Sequence, residues 1–332
     1  MKFNIFIILT YVIASVHCEE IFNSTPFITS KDTQYGPSIE GASVNKLGEA
    51  FATDFANSTT KIGQISPKQK LYSASPIVTT NFNGIRFLRL SKKEIDMGIK
   101  NIALVANKDG DVTKVTEMND GTTKQEIFCK DDTFVIPNDL ALSETGRIYI
   151  SGQNFTENTV IGDGGLWICQ PDGRATQLMK FGRTNGIELS PDEKTLYLSE
   201  AFNIGFTPVS NKIWKFKVDH RTGMVSSQEL FVDFAILDGT QSVDVDGMRT
   251  DIEGNLYVTR NGGQEVVVFS PNKVVLSRIK LNIKSAANLE LAGDQGKTMF
   301  IVGKCLDDET KGCVDKFENN IPEDIFANFN SG

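Results

Sequence analysis

The sequence predicts an all-β chain folded as a single six-bladed β-propeller around a central channel, and three observations carry that reading. One unit recurs: an oxygen-bearing side chain, a short strand, a turn marked by Gly or Asp, then a strand with an aromatic near its middle. Asp246-Gly247 opens the clearest case, within VDVDGMRTDIEGNLYVTRN, and Glu40-Gly41, Asn138-Asp139, Asn185-Gly186 and Asn288 open four others. The spacing inside the unit is tight, the polar residue lying 11, 11, 12, 11 and 12 positions before Phe51, Tyr149, Tyr197, Tyr257 and Phe300. The marks themselves, with Leu104 standing second, fall 53, 45, 48, 60 and 43 residues apart. Periods near that length with several strands each indicate propeller blades, which close radially and so limit exposed edges.

Taken in order, residues 19–35 have no clear period and are expected to supply an outer strand that closes the ring against the last blade. Blade one runs from Glu40 through FATDF and IGQIS. Blade two opens at Asn83-Gly84, carries an insertion over 91–99 with a helical turn, and resumes at NIALVANK. Blade three has a hairpin turning at Pro171-Asp172-Gly173, blade four one at His220–Gly223, and blade five one at Pro271-Asn272. Blade six holds Asn288 and TMFIVGK, and the terminal ENNIPEDIFANFN reads as a loop or a short closing element. In a propeller the first strand of each blade lines the channel. Oxygens scattered over some two hundred residues are therefore expected to meet on one axis.

The repeats fill roughly residues 36–305 of 332, leaving no room for a second core, so residues 19–332 read as one domain. A net charge of −8 argues against nucleic acid and anionic membrane surfaces as partners. Lys2 followed by FNIFIILTYVIASV reads as a signal peptide over residues 1–18, with Val16 and Cys18 at the small-residue positions, and implies a secreted protein. Four cysteines remain after cleavage, an even number that suggests disulfides. Cys305 and Cys313 are placed to clamp the acidic loop between them; Cys129 and Cys169 either pair or stay as free buried thiols. Sequons at Asn23, Asn57 and Asn154 suit a glycoprotein, although about three are expected by chance in so polar a chain.

The phrases EGASVNKLGEAFATDF, NGIRF, PNDLALSETGRIYIS, TNGIELSPDEKTLYLSE, VDGMRTDIEGNLYVTRNGG and VVVFSP resemble, in that order, the gluconolactonase family, which also takes in senescence-marker and luciferin-regenerating proteins. The resemblance implies a six-bladed propeller with one divalent metal at the centre of the channel. Its ligands would be Glu40 (in E-G-A where the family has E-G-P, Ala42 replacing Pro), Asn185 and Asp246, with Asn138 acting directly or through water or substrate. Asn83, in an expanded blade, and Asn288 are expected to line the channel. Such an all-oxygen set suits a hard cation, calcium first, with zinc, magnesium or manganese as alternatives.

Histidine is nearly absent, His17 and His220 being the two, so Ser–His–Asp hydrolysis and His-ligated zinc lack their parts. No P-loop, G-x-S-x-G or G-x-G-x-x-G occurs. Metal-assisted opening of a small sugar lactone is the leading expectation. The cation would polarise the carbonyl, with Asp246 as ligand and general base, and the protein would act as a monomer. A phosphotriesterase could use the same ligands, and a secreted binding propeller could keep the metal for stability alone. The bland readings stand beside these. Any single Asp-Gly pair more often stabilises a turn, Asp139 is expected to bond the turn beside it, and Trp167 and Trp214 look like blade packing.

Overall fold

A computed structural model describes residues 19–55, 61–69, 71–73, 81–293 and 296–318. The expected signal peptide, the sequon at Asn57 and the terminal segment 319–332 lie outside the described residues. Six antiparallel sheets follow one another, over residues 39–73, 82–130, 137–181, 183–233, 244–280 and 283–318, each with its strands in sequence order. They are the six blades, and the expected propeller is the observed fold. The innermost strands are Ile39–Val44, Phe82–Phe87, Pro137–Leu142, Arg183–Leu189, Asp244–Thr250 and Ile283–Ala292.

The chain start fastens the ring. Thr25–Ile28 pairs antiparallel with Gly312–Glu318 as the outer strand of blade six, so first and last segments share one sheet. Just before it, Glu20–Asn23 adds a parallel fifth strand to blade five, against Val275–Lys280, which the sequence did not announce. Buried Asp315 ties this crossing down, accepting from Ser24 Oγ at 2.5 Å and from the Asn282 N–H at 2.6 Å. Blade two's insertion is a helix, Lys92–Asp96, opened by a Ser91/Glu94 capping box. It lies between the first two strands of its blade, and so accounts for the long stretch from Asn83 to Leu104.

The core is divided into wedges between neighbouring blades. Phe51, Phe82, Ile85 and Val105 fill the space between blades one and two; Leu104, Leu140, Ile150 and Trp167 fill the next. Comparable clusters join the other four pairs, the last closing blade six onto blade one through Val302, Val314, Ile39 and Ala52. Along Ile99–Asn107, Leu104 faces one wedge and Val105 the other. A middle strand buried on both faces needs apolar residues at odd and even positions alike, hence the unbroken runs IALVA and VVVF.

Both disulfides form. Cys129–Cys169 links the outer strand of blade two to blade three across 40 residues, and Cys305–Cys313 closes the short loop of blade six. Trp167 is wholly buried, with Nε1 donating to Thr133, and Trp214 donates to Glu200; both are packing residues.

Candidate active site at the channel

Every innermost strand loses register at the residue singled out by the repeat or beside it, and that of blade six also does so between Ile283 and Ser285. The breaks fall between Glu40 and Ala42, Phe82 and Ile85, Pro137 and Leu140, Thr184 and Ile187, Val245 and Met248, and Ala286 and Asn288. A bulge inserts an unpaired residue and re-aims its side chain, which is how a strand packed on both faces can still present an oxygen to the axis. Asn83, Asn138, Asn185 and Asp246 therefore occupy corresponding bulges in blades two to five. In blade six the bulged residue is Ala287, and Asn288 sits one step beyond. Its amide donates to Asp139 at 3.2 Å instead.

Glu40, Asn83, Asn185 and Asp246 are each followed by Gly, and that Gly has a packing reason. A Cβ on Gly186 would stand 2.0 Å from the Asp246 carbonyl oxygen of the next blade, and one on Gly247 2.3 Å from the Asn288 amide. Gly41 and Gly84 meet blades two and three in the same way. The bulged strands crowd the axis, and a missing side chain makes the approach possible.

A second signal, which sequence reasoning missed, lies two positions after the aromatic mark. Thr53, Ser151, Ser199 and Thr259 stand there, and their hydroxyls satisfy backbone groups freed by the bulges. Thr53 donates to the Asn83 carbonyl at 2.6 Å, Ser151 accepts from the Asp139 N–H at 3.1 Å, and Ser199 from the Asn185 N–H at 3.2 Å. Thr259 lies within bonding distance of the Gly247 and Ala287 carbonyls, 3.1 and 3.2 Å away.

Glu40, Asn185 and Asp246 meet at one end of the channel. The Asn185 amide faces the Asp246 carboxylate and favours its charged form, and Asn261 Nδ2 donates to Asp246 Oδ2 at 2.6 Å. Burial pushes Asp246 up to about 7, against the donors Asn261 and Asn185, with the charges of Asp244 and Asp139 adding to the rise. Burial, then the facing Asp246 carboxylate, raise Glu40 well above the usual carboxylate range. Asn83 and Asn138 are buried, and their side-chain amides make no hydrogen bond to any described residue. Two acids that oppose each other's ionisation beside two unspent amides form a donor set that fits a hard dication, whose charge would balance both carboxylates.

Lys108 is a further residue the repeat reading passed over. It sits four positions after the Leu104 mark, where blade five has Asn261 and blade one Phe55. Its ammonium lies 3.4 Å from the centre of the Phe55 ring, and its charge lowers Glu40. Burial holds the Lys108 ammonium below its ordinary range, while Glu40 and Asp246 oppose that fall.

One layer deeper, three residues past the bulges, charges from several blades close on the axis. Arg86 lies 3.5 Å from Asp139 and 3.4 Å from Glu188; Arg249 lies 3.6 Å from Glu188 and 3.2 Å from Glu290. Arg249 also donates to the Ala42 carbonyl of blade one. Asp139 does bond the neighbouring Leu140 N–H, at 2.8 Å, and its carboxylate also joins this network. The layer is fully paired across the axis. Elsewhere Cys305, Asp307 and Cys313 lie close together, but the disulfide occupies both sulfurs.

Fold and site together define a closed six-bladed ring with an acid-and-amide cluster at one end of its channel. The chain belongs to the family described as the SMP-30/Gluconolactonase/LRE-like region, matched over residues 32–304. It is 31% identical to a gluconolactonase of Zymomonas mobilis over 197 residues, 55% of this chain and 53% of that one. The alignments span about half the length of the curated relatives it matches. Among solved structures it is similar to a calcium-binding regucalcin from Agrobacterium tumefaciens, with TM-score 0.68, 16% identity, and 90% of this chain and 95% of that one covered. It is also similar to a luciferin-regenerating enzyme, with TM-score 0.67, 16% identity, and 87% and 94% covered. At such identities the structural likeness speaks for the fold alone.

Proposed function

We propose that the chain is a secreted, metal-dependent hydrolase that opens a lactone ring at the channel site. The observation that carries this is the meeting of the Glu40 and Asp246 carboxylates, with the Asn185 amide against Asp246. Glu40, Asn185 and Asp246 would hold the divalent ion, calcium on the hardness of the donor set, and such an ion supplies polarisation of the ester carbonyl.

Asn138 orients the substrate through its amide. Asp246, fixed at Oδ2 by Asn261, takes the proton of the attacking water on its carboxylate and returns it to the alkoxide oxygen that leaves as the ring opens. The gluconolactonase kinship points to a sugar lactone as the ring opened.

The test is a panel of sugar and simple lactones, with a fluorophosphate in parallel, assayed with metal, with chelator, and after readdition of single metals. Lactone turnover lost to chelator and restored by calcium is the expected result. Calcium binding with no turnover of any lactone would leave a binding propeller, and faster cleavage of the fluorophosphate would make it a phosphotriesterase.

A further inference from the structure

Beside the channel mouth stands an apolar wall that the lactone chemistry does not use. In blade three the loop over 154–163 carries Phe155, Val160 and Ile161; in blade four the hairpin from Thr195–Ile204 to Thr207–Val218 carries Ile204 and Phe206. All five are more than half exposed, Phe155 at 57% and Phe206 at 56%. The two Phe rings stack with centroids 6.1 Å apart and planes at 17°.

Single exposed apolar residues are ordinary, but a contiguous set on a protein surface marks a place where something binds. This one is held rigid. The Phe206 N–H donates to the Glu157 carbonyl at 2.9 Å, the Thr159 N–H to the Asn203 carbonyl at 3.1 Å, and the Asn203 N–H to Thr159 Oγ1 at 3.0 Å. Loop and hairpin are thus bonded to each other, and the rings are displayed by a fixed frame.

The wall is continuous with the candidate site. The buried guanidinium of Arg183, on the inner strand that bears Asn185, lies 4.9 Å from the Phe155 ring centre and bonds Asp244 at 2.8 Å, two residues from Asp246. Ile136 lies two residues before Asn138, and its carbonyl accepts from the Gln153 N–H, at the start of the loop that carries Phe155. It is 37% exposed and has a φ of +32°, a conformation costly for a β-branched residue and one that concentrates at binding sites. Such a surface offers a ligand contact area but few hydrogen bonds to sugar hydroxyls.

We infer that the substrate is a lactone whose ring carries an alkyl or aryl substituent, seated on the Phe155–Phe206 wall while the ring enters the channel. The inference rests on the lactone-hydrolase reading and replaces the sugar lactone that kinship suggests with one bearing an apolar substituent.

The experiment measures γ-lactones with side chains from methyl to hexyl, by calorimetric binding to the full chain and by turnover, alongside D-glucono-lactone. Burying a methylene is worth about 0.8 kcal/mol, so affinity should rise about two- to fourfold per added CH₂ on a half-open wall. Phe155→Ser with Phe206→Ser should flatten that slope in both binding and turnover. Ile127→Ser, at an exposed apolar site on the outer edge of blade two, should alter neither.

A flat slope in the unsubstituted protein, or tighter binding of the sugar lactone, overturns the inference and leaves the hydrolase reading intact. A steep binding slope without turnover of any lactone supports the ligand class and removes the hydrolase. A dimer that dissociates in the double variant, or a slope that emerges once a glycan is removed from Asn154, assigns the wall elsewhere and also overturns it.

Discussion

Asn261 donates its side-chain amide to Asp246 at 2.6 Å, joining the end of one strand of blade five to the bulge of the strand beside it. One carboxylate oxygen is thereby fixed, and the rotation of the other follows. Asp246→Asn is expected to lower kcat by about 10²–10⁴-fold, the usual worth of a general base. Asn261→Ala should lower metal affinity or kcat by about 10–100-fold, as removal of an orienting partner does. Calorimetric metal titration and the pH dependence of kcat distinguish the two. A merely structural Asn261 would lower the melting temperature and leave both unchanged.

Without metal, stability should fall as pH rises. Asp246 in the folded chain titrates at about 7 against an ordinary 3.8, so the folded state keeps a proton that the unfolded state releases. That stabilisation is complete below about pH 4 and is lost through pH 7; a shift of this size corresponds to up to roughly 4 kcal/mol. Glu40 moves in the same direction. Calorimetry in chelator from pH 4 to 8 should show a falling melting temperature, reversed by added calcium. In Asp246→Asn the slope should shrink.

Gly186→Ala and Gly247→Ala test the crowding of the axis. Each added methyl would meet an adjacent blade at 2.0 and 2.3 Å, and overpacking of this kind costs about 1–3 kcal/mol or more. A shifted denaturation midpoint is expected in both. Gly110, whose Cβ would meet nothing within 4 Å, supplies the contrast, since there any loss comes from its positive φ alone.

The disulfides should differ in worth. On loop-closure entropy, Cys129–Cys169, spanning 40 residues, contributes about 4 kcal/mol and Cys305–Cys313, spanning 8, about 2.5. Cys169→Ser should therefore lower the midpoint more than Cys313→Ser, in chemical denaturation followed by tryptophan fluorescence.

Much of the fold was legible because the same local problem is solved in blade after blade. A turn needs Gly or Asp, a middle strand buried on both faces needs continuous apolar residues, and four of the six axis strands carry Gly at or beside the bulge. Asn83 was harder to place because a helix interrupts its blade, which hid the count to Leu104. Asn288 fitted the count, yet the bulge of blade six falls on Ala287, a difference of one residue that pattern alone does not reveal. Lys108 and Asn261 went unread since nothing local distinguishes a channel-mouth residue from an ordinary strand end.

The sequence by itself determined the number of blades, their inner strands and the types of oxygen each brings, because those follow from periodicity and turn chemistry within some fifty residues. Tertiary structure decided which oxygens face one another, that Asp246 leans on Asn261, that a paired Arg–Glu layer spans the axis, and that two Phe rings stack at the channel mouth. Those relations join residues far apart in the chain, and they arise only when blade six closes on the strand Thr25–Ile28 and the ring is complete.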